Sequence, residues 1–162
     1  MDRLVIIGNS GSGKSTLAER LARAAPRAVF DLDPVHWQEH GLKRDEAQAR
    51  ALVAGLAAGH GWIIEGVYGW LAEEALPRAT ALVWTDLPWP ECRAGLLRRG
   101  LRRGMTGADQ EALLAWAEEY WTRTTSSSAA GHERIFTRFS GEKRRLRTRD
   151  AVDAFVAASV RA

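Results

Sequence analysis

The sequence contains a single cysteine, Cys92, among its 162 residues. One thiol cannot form a disulfide within the chain, and it cannot supply the several thiolates of a structural zinc or iron–sulfur site. The sequence therefore excludes a disulfide-stabilised scaffold and a multi-thiolate metal centre.

Long apolar runs are also lacking, because no stretch approaches the ~20 apolar residues needed to span a bilayer. The chain starts directly with a strand-like segment, which leaves no room for a signal peptide. These two absences predict a protein without a membrane partner, located in the cytoplasm.

Neither sign of charge dominates the chain: 23 lysines and arginines stand against 20 aspartates and glutamates, a formal net charge of +3. This mild excess suits an anionic ligand but does not require nucleic acid as a partner. Hydrophobic residues make up 46% of the sequence, which is enough for a real core. The length matches one domain, so we predict a single domain over residues 1–162.

What the sequence does contain begins with a glycine-rich stretch directly behind an apolar run at 4–7. The stretch fits the Walker A pattern G-x-x-x-x-G-K-[ST], and a helical pattern follows it. Glycines let successive backbone N–H groups face one anion, and the following helix adds its positive N-terminal end. Lys14 can reach the β- and γ-phosphates of a nucleotide, and the Ser15 hydroxyl can ligate Mg²⁺.

The alternative is a flexible Gly/Ser loop that contains a lysine by chance, and the correct flanking patterns argue against it. We therefore predict that ATP and Mg²⁺ are the cofactors. The predicted nucleotide-binding residues are Gly8, Asn9, Ser10, Gly11, Ser12, Gly13, Lys14, Ser15 and Thr16.

Short apolar segments alternate with helical patterns along the chain, which favours βαβ units and a parallel sheet. We predict strands at 3–7, 28–33, 62–64, 81–84 and 144–148, and helices at 14–25, 45–58, 70–76, 90–103, 106–121, 132–139 and 150–160. The predicted fold class is α/β: a three-layer P-loop NTPase fold with a central parallel sheet of about five strands and a helical lid. Ligands of such sheets bind beyond the carboxyl ends of the strands.

Carboxylates follow three of the predicted strands at that edge. Asp31 and Asp33 would point the same way on a regular strand, so one can hold water on Mg²⁺ and the other can accept a hydrogen bond from an acceptor hydroxyl. The alternative is a pair at the start of a loop, since Pro34 follows. Glu65 ends an apolar strand, where a carboxylate that organises a metal is favoured over a solvated one. Asp86 is predicted to cap the next helix.

Aromatic residues close to these carboxylates are candidates for an acceptor pocket. Trp37 and Tyr68 are predicted to bind the acceptor together with Asp33 and Glu65, and packing in the core is an equally open alternative for both rings. His36 is predicted to be a surface or hydrogen-bonded histidine rather than a catalyst.

Four arginines, at 98, 99, 102 and 103, lie within one predicted helix. There they form two i, i+4 pairs of like charge, which are unfavourable by a few tenths of a kcal/mol each, roughly. Because no acid interrupts them, they favour an anion; a guanidinium beside a transferred phosphoryl group can raise the rate ~10³–10⁵-fold. A solvated basic face is the alternative. We predict that at least one acts in catalysis, with Arg98, Arg99 and Arg102 as the candidates.

A second basic cluster lies at 143–149. We predict that most of it is surface charge, and contact with the nucleotide from the far side is the alternative.

The stretch Gly8–Thr16 with the helix behind it resembles the P-loop small-molecule kinases, which include adenylate and shikimate kinases. Phe30-Asp31-Leu32-Asp33 is similar to the second strand of shikimate kinases, which implies that Asp31 lies near Mg²⁺ and Asp33 contacts the acceptor hydroxyl. Trp62-Ile63-Ile64-Glu65-Gly66 is similar to a strand of adenylate kinases that ends in Asp-Gly.

A broader resemblance, over about 4–103, is to bacterial topology-modulation (FlaR-like) and adenylate-kinase-like proteins. It rests on Leu32-Asp33 with Trp37, on the segment from Trp62 to Tyr68, and on an arginine-bearing helix after a strand that ends Asp-x-Pro. Glu65 replaces the commoner aspartate, and Val67 stands where this likeness has asparagine. The arginine motif that follows Asp-Gly in adenylate kinases is absent, which argues against a true adenylate kinase.

Together these patterns predict an ATP- and Mg²⁺-dependent kinase whose acceptor is a nucleotide, a nucleoside or a hydroxylated metabolite. The acceptor-binding segment is predicted at about 34–60 and a mobile lid at about 98–125. Two other readings stay open: a nucleotide-dependent, DNA-associated regulatory protein, and an ATP hydrolase. The sequence does not predict the oligomeric state.

Overall fold

The computed structural model describes residues 2–101 and 104–161. Five strands form one sheet: β1 (Arg3–Gly8), β2 (Ala28–Asp31), β3 (Trp62–Gly66), β4 (Ala81–Thr85) and β5 (Glu142–Leu146). Their order across the sheet is β2-β3-β1-β4-β5, and every neighbouring pair is parallel. The predicted parallel sheet of five strands is confirmed.

The three central strands are buried at every position except the first residue of β1. Strands that are covered on both faces read as continuous apolar runs, which is why the sequence identifies them. At the sheet edge, β5 fully buries only Leu146 and leaves its charged residues exposed or half-buried. Leu146, the single apolar residue of β5, is therefore the residue that this strand contributes to the core.

Eight α-helices surround the sheet within the described residues. They are α1 (Lys14–Ala24), α2 (Asp33–His36), α3 (Glu46–Ala57), α4 (Gly69–Ala75), α5 (Trp89–Arg99), α6 (Gly107–Glu118), α7 (Ala129–Arg138) and α8 (Arg149–Arg161). A capping box stands at the start of α6: the Thr106 hydroxyl accepts the Asp109 N–H, and the Asp109 carboxylate accepts the Thr106 N–H. Among the described residues, no helix combines the length and apolar character that a membrane span requires.

Helices cover both faces of the sheet, which gives the three predicted layers. Because alternate strand residues point to opposite faces, β1 supplies Val5 to one core and Ile6 to the other. The first core includes buried residues of α3, α4 and α7, and the second includes those of α1 and α8. The carboxyl ends of the strands remain at one edge, where the glycine-rich loop lies.

Several elements end earlier than predicted, among them β5 at Leu146 instead of 148 and α6 at Glu118 instead of 121, and two other early ends concern candidate site residues. β2 ends at Asp31, and Asp33 already begins α2, so the strand predicted over 28–33 is too long. α5 ends at Arg99 because Gly100 takes a φ of +68°, which ends a helix readily and favours glycine. The predicted helix over 90–103 is therefore wrong at its end. Arg102 and Arg103 lie outside the described residues.

Candidate functional site

The glycine-rich loop joins the end of β1 to the start of α1. Leu17 donates its backbone N–H to Gly13 O at 2.9 Å, so the helical bonding begins directly at the loop. Gly11 has a φ of +78°, and a Cβ there would collide with the carbonyl oxygen of Cys92 in α5. Glycine is required at this position because both the backbone conformation and the approach of α5 exclude a side chain.

Two basic side chains converge on this loop. Lys14 is buried and donates from Nζ to the carbonyl oxygen of Asn9 at 2.9 Å. Arg149, at the start of α8, donates from Nη1 to the carbonyl oxygen of Ser12 at 3.2 Å. The Ser12 hydroxyl also meets the Thr85 hydroxyl at 2.7 Å, which ties the loop to β4. The loop is thus held rigidly and carries positive charge from two directions.

Glu65 is a buried carboxylate beside the loop. Its Oε1 accepts a hydrogen bond from the Ser15 hydroxyl at 2.6 Å, and the side chain sits on the same sheet face as α1. Burial raises the pKa of Glu65, while the nearby Lys14 ammonium opposes that shift. The reading of Glu65 as a solvated strand end is therefore wrong, and the predicted proximity of Ser15 and Glu65 is present.

Asp31 and Asp33 meet in a different way from the one that the sequence predicts. They do not share a strand: the Asp31 carboxylate accepts the backbone N–H of Asp33 at 2.8 Å, across the turn from β2 into α2. Both side chains nevertheless line the same cavity as Lys14 and Ser15. The register pairs Asp31 with Glu65 on the adjacent strand, so the three carboxylates lie along one edge.

Aromatic side chains form the wall of the cavity next to Asp33. The rings of His36 and Tyr68 stack with centroids 4.0 Å apart, and Trp37 Nε1 donates to the Tyr68 hydroxyl at 2.7 Å. Trp37 is 38% exposed, so it is not a core residue. Burial, followed by the nearby Lys43, lowers the pKa of His36. His36 Nδ1 is buried without a hydrogen-bond partner among the described residues.

Two of the candidate arginines can be located in the structure, and their catalytic role stays a prediction. Arg98 and Arg99 occupy the last turn of α5 and line the cavity. The third candidate, Arg102, lies outside the described residues, so the predicted stripe of four cannot be followed along one helix. The helix end at Arg99 already breaks the i, i+4 pattern.

Arg123 lines the cavity although the sequence gives no sign of it. Its guanidinium stacks over the Trp116 ring at 4.0 Å, and donates to the carbonyl oxygens of Trp116 and Ser127, the latter at 3.1 Å. Its Nε is buried without a hydrogen-bond partner in the described part of the chain, and burial lowers the pKa of Arg123. A single arginine between polar residues carries no pattern, so only the folded chain reveals this position.

Arg149 is also a functional candidate that sequence reasoning set aside. It belongs to the basic cluster at 143–149, most of which was predicted to be surface charge. Other members of that cluster form ion pairs, and Arg149 itself pairs with Glu91 at 3.2 Å. Within the cluster, only Arg149 lines the cavity. The signal for it was its place at the carboxyl edge, directly after the last strand.

Asp86 does not cap the next helix, so that prediction is wrong. The N-cap position of α5 belongs to Pro88, and no side chain caps this end. The Asp86 carboxylate instead accepts a hydrogen bond from Arg145 Nε at 2.9 Å and lies 3.6 Å from Arg147 Nε. The arginines of β5 and of the residues after it therefore engage Asp86.

A single cavity of about 1170 Å³ unites most of the predicted site residues. This volume exceeds that of an ordinary one-ligand pocket, which is ~300–1000 Å³. Gly8, Asn9 and Ser12 do not line this cavity. The predicted residues that line it are Ser10, Gly11, Gly13, Lys14, Ser15, Thr16, Asp31, Asp33, Trp37, Glu65, Tyr68, Arg98 and Arg99.

Within residues 2–101 and 104–161, no group of three or more histidine, cysteine, aspartate or glutamate side chains is arranged to hold a metal ion by itself. Ser15, Asp31 and Glu65 are hard oxygen donors, of the kind that Mg²⁺ prefers. Mg²⁺ commonly takes one or two carboxylates and completes its shell with phosphate oxygens and water. The donor set therefore fits a magnesium ion that arrives with a polyphosphate.

Comparison with known proteins shows which solved structures share this fold. No family model matches the sequence, and no curated protein matches it either. Solved structures do match over nearly the whole chain. A shikimate kinase from Bacteroides thetaiotaomicron has a TM-score of 0.61 at 16% identity, over 97% of this chain and 95% of that one.

Two further structures give the same picture. A gluconokinase from Sinorhizobium meliloti has a TM-score of 0.60 at 17% identity, over 99% of this chain and 90% of the other. A shikimate kinase from Acinetobacter baumannii, in complex with shikimate, has a TM-score of 0.58 at 14% identity, over 98% and 90%. The chain thus has the P-loop α/β fold that is found in shikimate kinases and gluconokinases.

Proposed function

We propose that this protein transfers the γ-phosphoryl group of ATP, in the presence of Mg²⁺, to a hydroxyl of a small-molecule acceptor. The observation that supports this most is the sharing of one cavity by Lys14 and Ser15 of the phosphate loop and by Asp33 of the acceptor wall. The names of the similar structures, which describe kinases of small molecules, agree with the proposal.

The nucleotide occupies the half of the cavity next to α1 and α8. Lys14 exchanges its neutral partner, the Asn9 carbonyl oxygen, for charged phosphate oxygens, and hydrogen bonds to ions are roughly twice as strong. Arg149 adds positive charge behind the loop. Arg98 and Arg99, and in the predicted set Arg102, supply guanidinium groups from above the transferred phosphate.

Ser15, Asp31 and Glu65 hold the magnesium ion with the phosphates. When it is bound, Mg²⁺ neutralises negative charge on the phosphate oxygens. Glu65 already accepts the Ser15 hydroxyl at 2.6 Å, so this pair is oriented before any ion arrives. Because Glu65 is buried, a cation at this position strongly stabilises the ionised form of its carboxylate.

The acceptor lies against Asp33, Trp37 and Tyr68. Its hydroxyl oxygen attacks the γ-phosphorus, the bond from that phosphorus to the β–γ bridging oxygen breaks, and ADP leaves with the released electron pair. Asp33 accepts the hydroxyl proton or holds it by a hydrogen bond during the transfer. The ring faces of Trp37 and Tyr68 cover the apolar parts of the acceptor.

Closure over the cavity keeps water away from the γ-phosphate, so that transfer is favoured over hydrolysis. The segment 98–125 is the proposed lid, and Met105, Leu113 and Trp116 line the cavity from it. Its last part is anchored, because Ala117 and Tyr120 are fully buried. The moving portion in this proposal is therefore the part before Ala117.

The test is a transfer assay with γ-labelled ATP, Mg²⁺ and a panel of nucleosides, nucleotides and hydroxylated metabolites. We expect labelled product from at least one compound, and a loss of rate of ~10²–10⁴-fold for Asp33→Asn, the usual contribution of general acid–base catalysis. Asp45→Asn is the matched control, because Asp45 caps α3, outside the cavity, and asparagine caps equally well.

Three results would count against the proposal. Tight ATP binding without transfer to any compound would contradict the kinase function. Phosphate release without an acceptor, at a rate comparable to that of kinases, would favour a hydrolase. Retention on DNA at ~150 mM salt, near physiological ionic strength, would favour the DNA-associated alternative.

A further inference from the structure

Asn9 occupies a position that the Walker A pattern leaves open, and its contacts reach beyond the loop. Its side chain is 1% exposed, and Nδ2 donates to the carbonyl oxygen of Ala117 at 2.8 Å. Its Oδ1 accepts the backbone N–H of Ser10 at 2.8 Å, which fixes the orientation of the amide. Its own carbonyl oxygen accepts the Lys14 ammonium at 2.9 Å. One residue thus contacts both the phosphate-binding lysine and the end of α6.

The end of α6 is held from a second side as well. Tyr120 follows Ala117 by one turn, and its hydroxyl lies 2.6 Å from His132 Nδ1. His132 Nε2 lies 3.0 Å from the carbonyl oxygen of Val67, which can only accept, so Nε2 carries the hydrogen and Nδ1 accepts from Tyr120. Val67 belongs to the segment between Glu65 and Tyr68. The C-terminal end of α6 is therefore bonded both to the phosphate loop and to the acceptor wall.

A polyphosphate changes the first of these links. The Lys14 ammonium has three N–H donors, and as it turns toward phosphate oxygens its hydrogen bond to the Asn9 carbonyl oxygen weakens. The Asn9 side chain remains bonded to Ala117, so a movement of the loop is passed to α6 through a buried hydrogen bond. Leu113, one turn before Ala117 in α6, and Trp116 line the cavity.

We propose that Asn9 is a positioning residue that couples polyphosphate binding at the loop to the position of α6 over the cavity. This coupling rests on the proposed nucleotide binding, and it adds a route by which an occupied nucleotide site prepares the acceptor side. Coupling between sites in proteins is typically about 5- to 150-fold in an equilibrium constant. A coupling of this size is measurable in the opening equilibrium of a helix.

The experiment is hydrogen exchange of the α6 amides, followed by mass spectrometry, with and without a saturating non-hydrolysable ATP analogue and Mg²⁺. In the wild-type protein we expect exchange near the C-terminal end of α6 to slow about fivefold or more. Asn9→Asp keeps the acceptor for the Ser10 N–H but sets a carboxylate oxygen against the Ala117 carbonyl. We expect this variant to bind the analogue and to lose the protection of α6.

Ser10→Asp is the matched control, because it adds the same charge one residue further along and keeps Asn9. Both variants place a negative charge near the phosphates, so both are expected to weaken analogue binding. Ser10→Asp is expected to retain the protection of α6 at a saturating concentration of the analogue. Should Asn9→Asp fail to fold, Asn9→Ala takes its place, since it removes the donor without adding charge.

The outcomes separate this coupling from the proposed function. Protection of α6 that persists in the Asn9 variants at saturation overturns the coupling. Analogue binding to the wild type without any change in α6 also overturns it, while nucleotide binding stands. If the wild type binds no analogue, the proposed function fails and the coupling fails with it.

Discussion

At the residue scale, Glu65 combines two conditions that are rarely met together by a carboxylate. It is 3% exposed, yet its hydrogen-bond partner is a serine hydroxyl rather than a cation. Burial raises its pKa, which means that the ionised form is disfavoured in the folded protein relative to the unfolded chain. The cost of the ionised carboxylate to the stability of the folded protein is absent below the ordinary pKa near 4.5. That cost grows as the pH rises from there through the pKa of Glu65 in the folded protein.

Glu65→Gln is therefore expected to be more stable than the wild type at pH 8 without ligands, with an advantage that shrinks toward pH 4. The same change should weaken Mg²⁺-dependent nucleotide binding about 10- to 100-fold, as the loss of a metal-organising group usually does. Chemical unfolding at both pH values and calorimetric titration check these two effects. Glu118→Gln, on the exposed side of α6, should change neither; equal stability of Glu65→Gln and wild type at pH 8 would contradict the account.

His132 is the second buried titratable residue with a defined role. It bridges the Tyr120 hydroxyl and the Val67 carbonyl as a neutral imidazole, and burial lowers its pKa to about 3. The unfolded chain binds a proton near pH 6.5, whereas the folded protein does not. Stability from this residue is thus complete above pH 6.5 and is lost as the pH falls toward 3.

His132→Gln should lose about 1–3 kcal/mol of unfolding free energy at pH 7, because one buried hydrogen-bond group is left unpaired. The difference from the wild type should narrow at pH 5, since only the wild type pays up to ~1.4 kcal/mol per pH unit below the unfolded pKa. Urea unfolding at the two pH values measures this. A gap that stays constant with pH would show that His132 does not remain neutral.

These residues mark the limit of what the sequence predicts. Lys14 and Ser15 were identifiable because their chemistry is encoded by spacing within one short loop. Asn9, Arg123 and His132 act through partners such as Ala117, which is 108 residues from Asn9. No local sequence pattern predicts such contacts, because they form only when distant segments pack together.

At the element scale, α6 depends on its first turn more than on its packing. Only Ala117 is buried within the helix, so few apolar contacts hold its N-terminal half. The capping box of Thr106 and Asp109 satisfies backbone donors there, which typically contributes about 1 kcal/mol. Met105, directly before the cap residue Thr106, lines the cavity, so the cap affects how well the proposed lid is ordered.

Thr106→Ala should speed exchange of the amides in the first turn of α6 about fivefold, the factor that corresponds to about 1 kcal/mol. Global unfolding should change little, because the central strands are unaffected. Thr137→Ala, at an exposed position of α7, serves as the control and should leave α6 unchanged. Unaltered exchange in Thr106→Ala would mean that the cap does not order this helix.

Element boundaries were less predictable than the elements themselves. The apolar runs of β1, β3 and β4 identify strands because both faces are buried. The end of β2 depends instead on a bond from the Asp33 N–H to the Asp31 carboxylate, which turns the chain into α2. The pattern of alternating aspartates is compatible with a strand as well as with this turn, so the sequence alone does not decide between them.

At the scale of the whole molecule, the parallel sheet brings residues from five separate segments to one edge. The order β2-β3-β1-β4-β5 sets the phosphate loop at the centre, with Asp31 and Glu65 on one side and Arg149 on the other. The sequence predicts this convergence because strands that alternate with helices share a carboxyl edge. It does not predict the acceptor, which depends on the shape of the whole cavity.

The central claim is that the turn from β1 into α1 binds a polyphosphate through Lys14. The most direct measurement is the rise in melting temperature that MgATP produces in the wild type, in Lys14→Ala and in Lys43→Ala, a lysine that lines the same cavity. At 100 times the dissociation constant, binding adds about 2.7 kcal/mol, or roughly 5–10 °C for a chain of this size. We predict that rise in the wild type and in Lys43→Ala, and none beyond that of Mg²⁺ alone in Lys14→Ala; a full rise in Lys14→Ala would contradict the account.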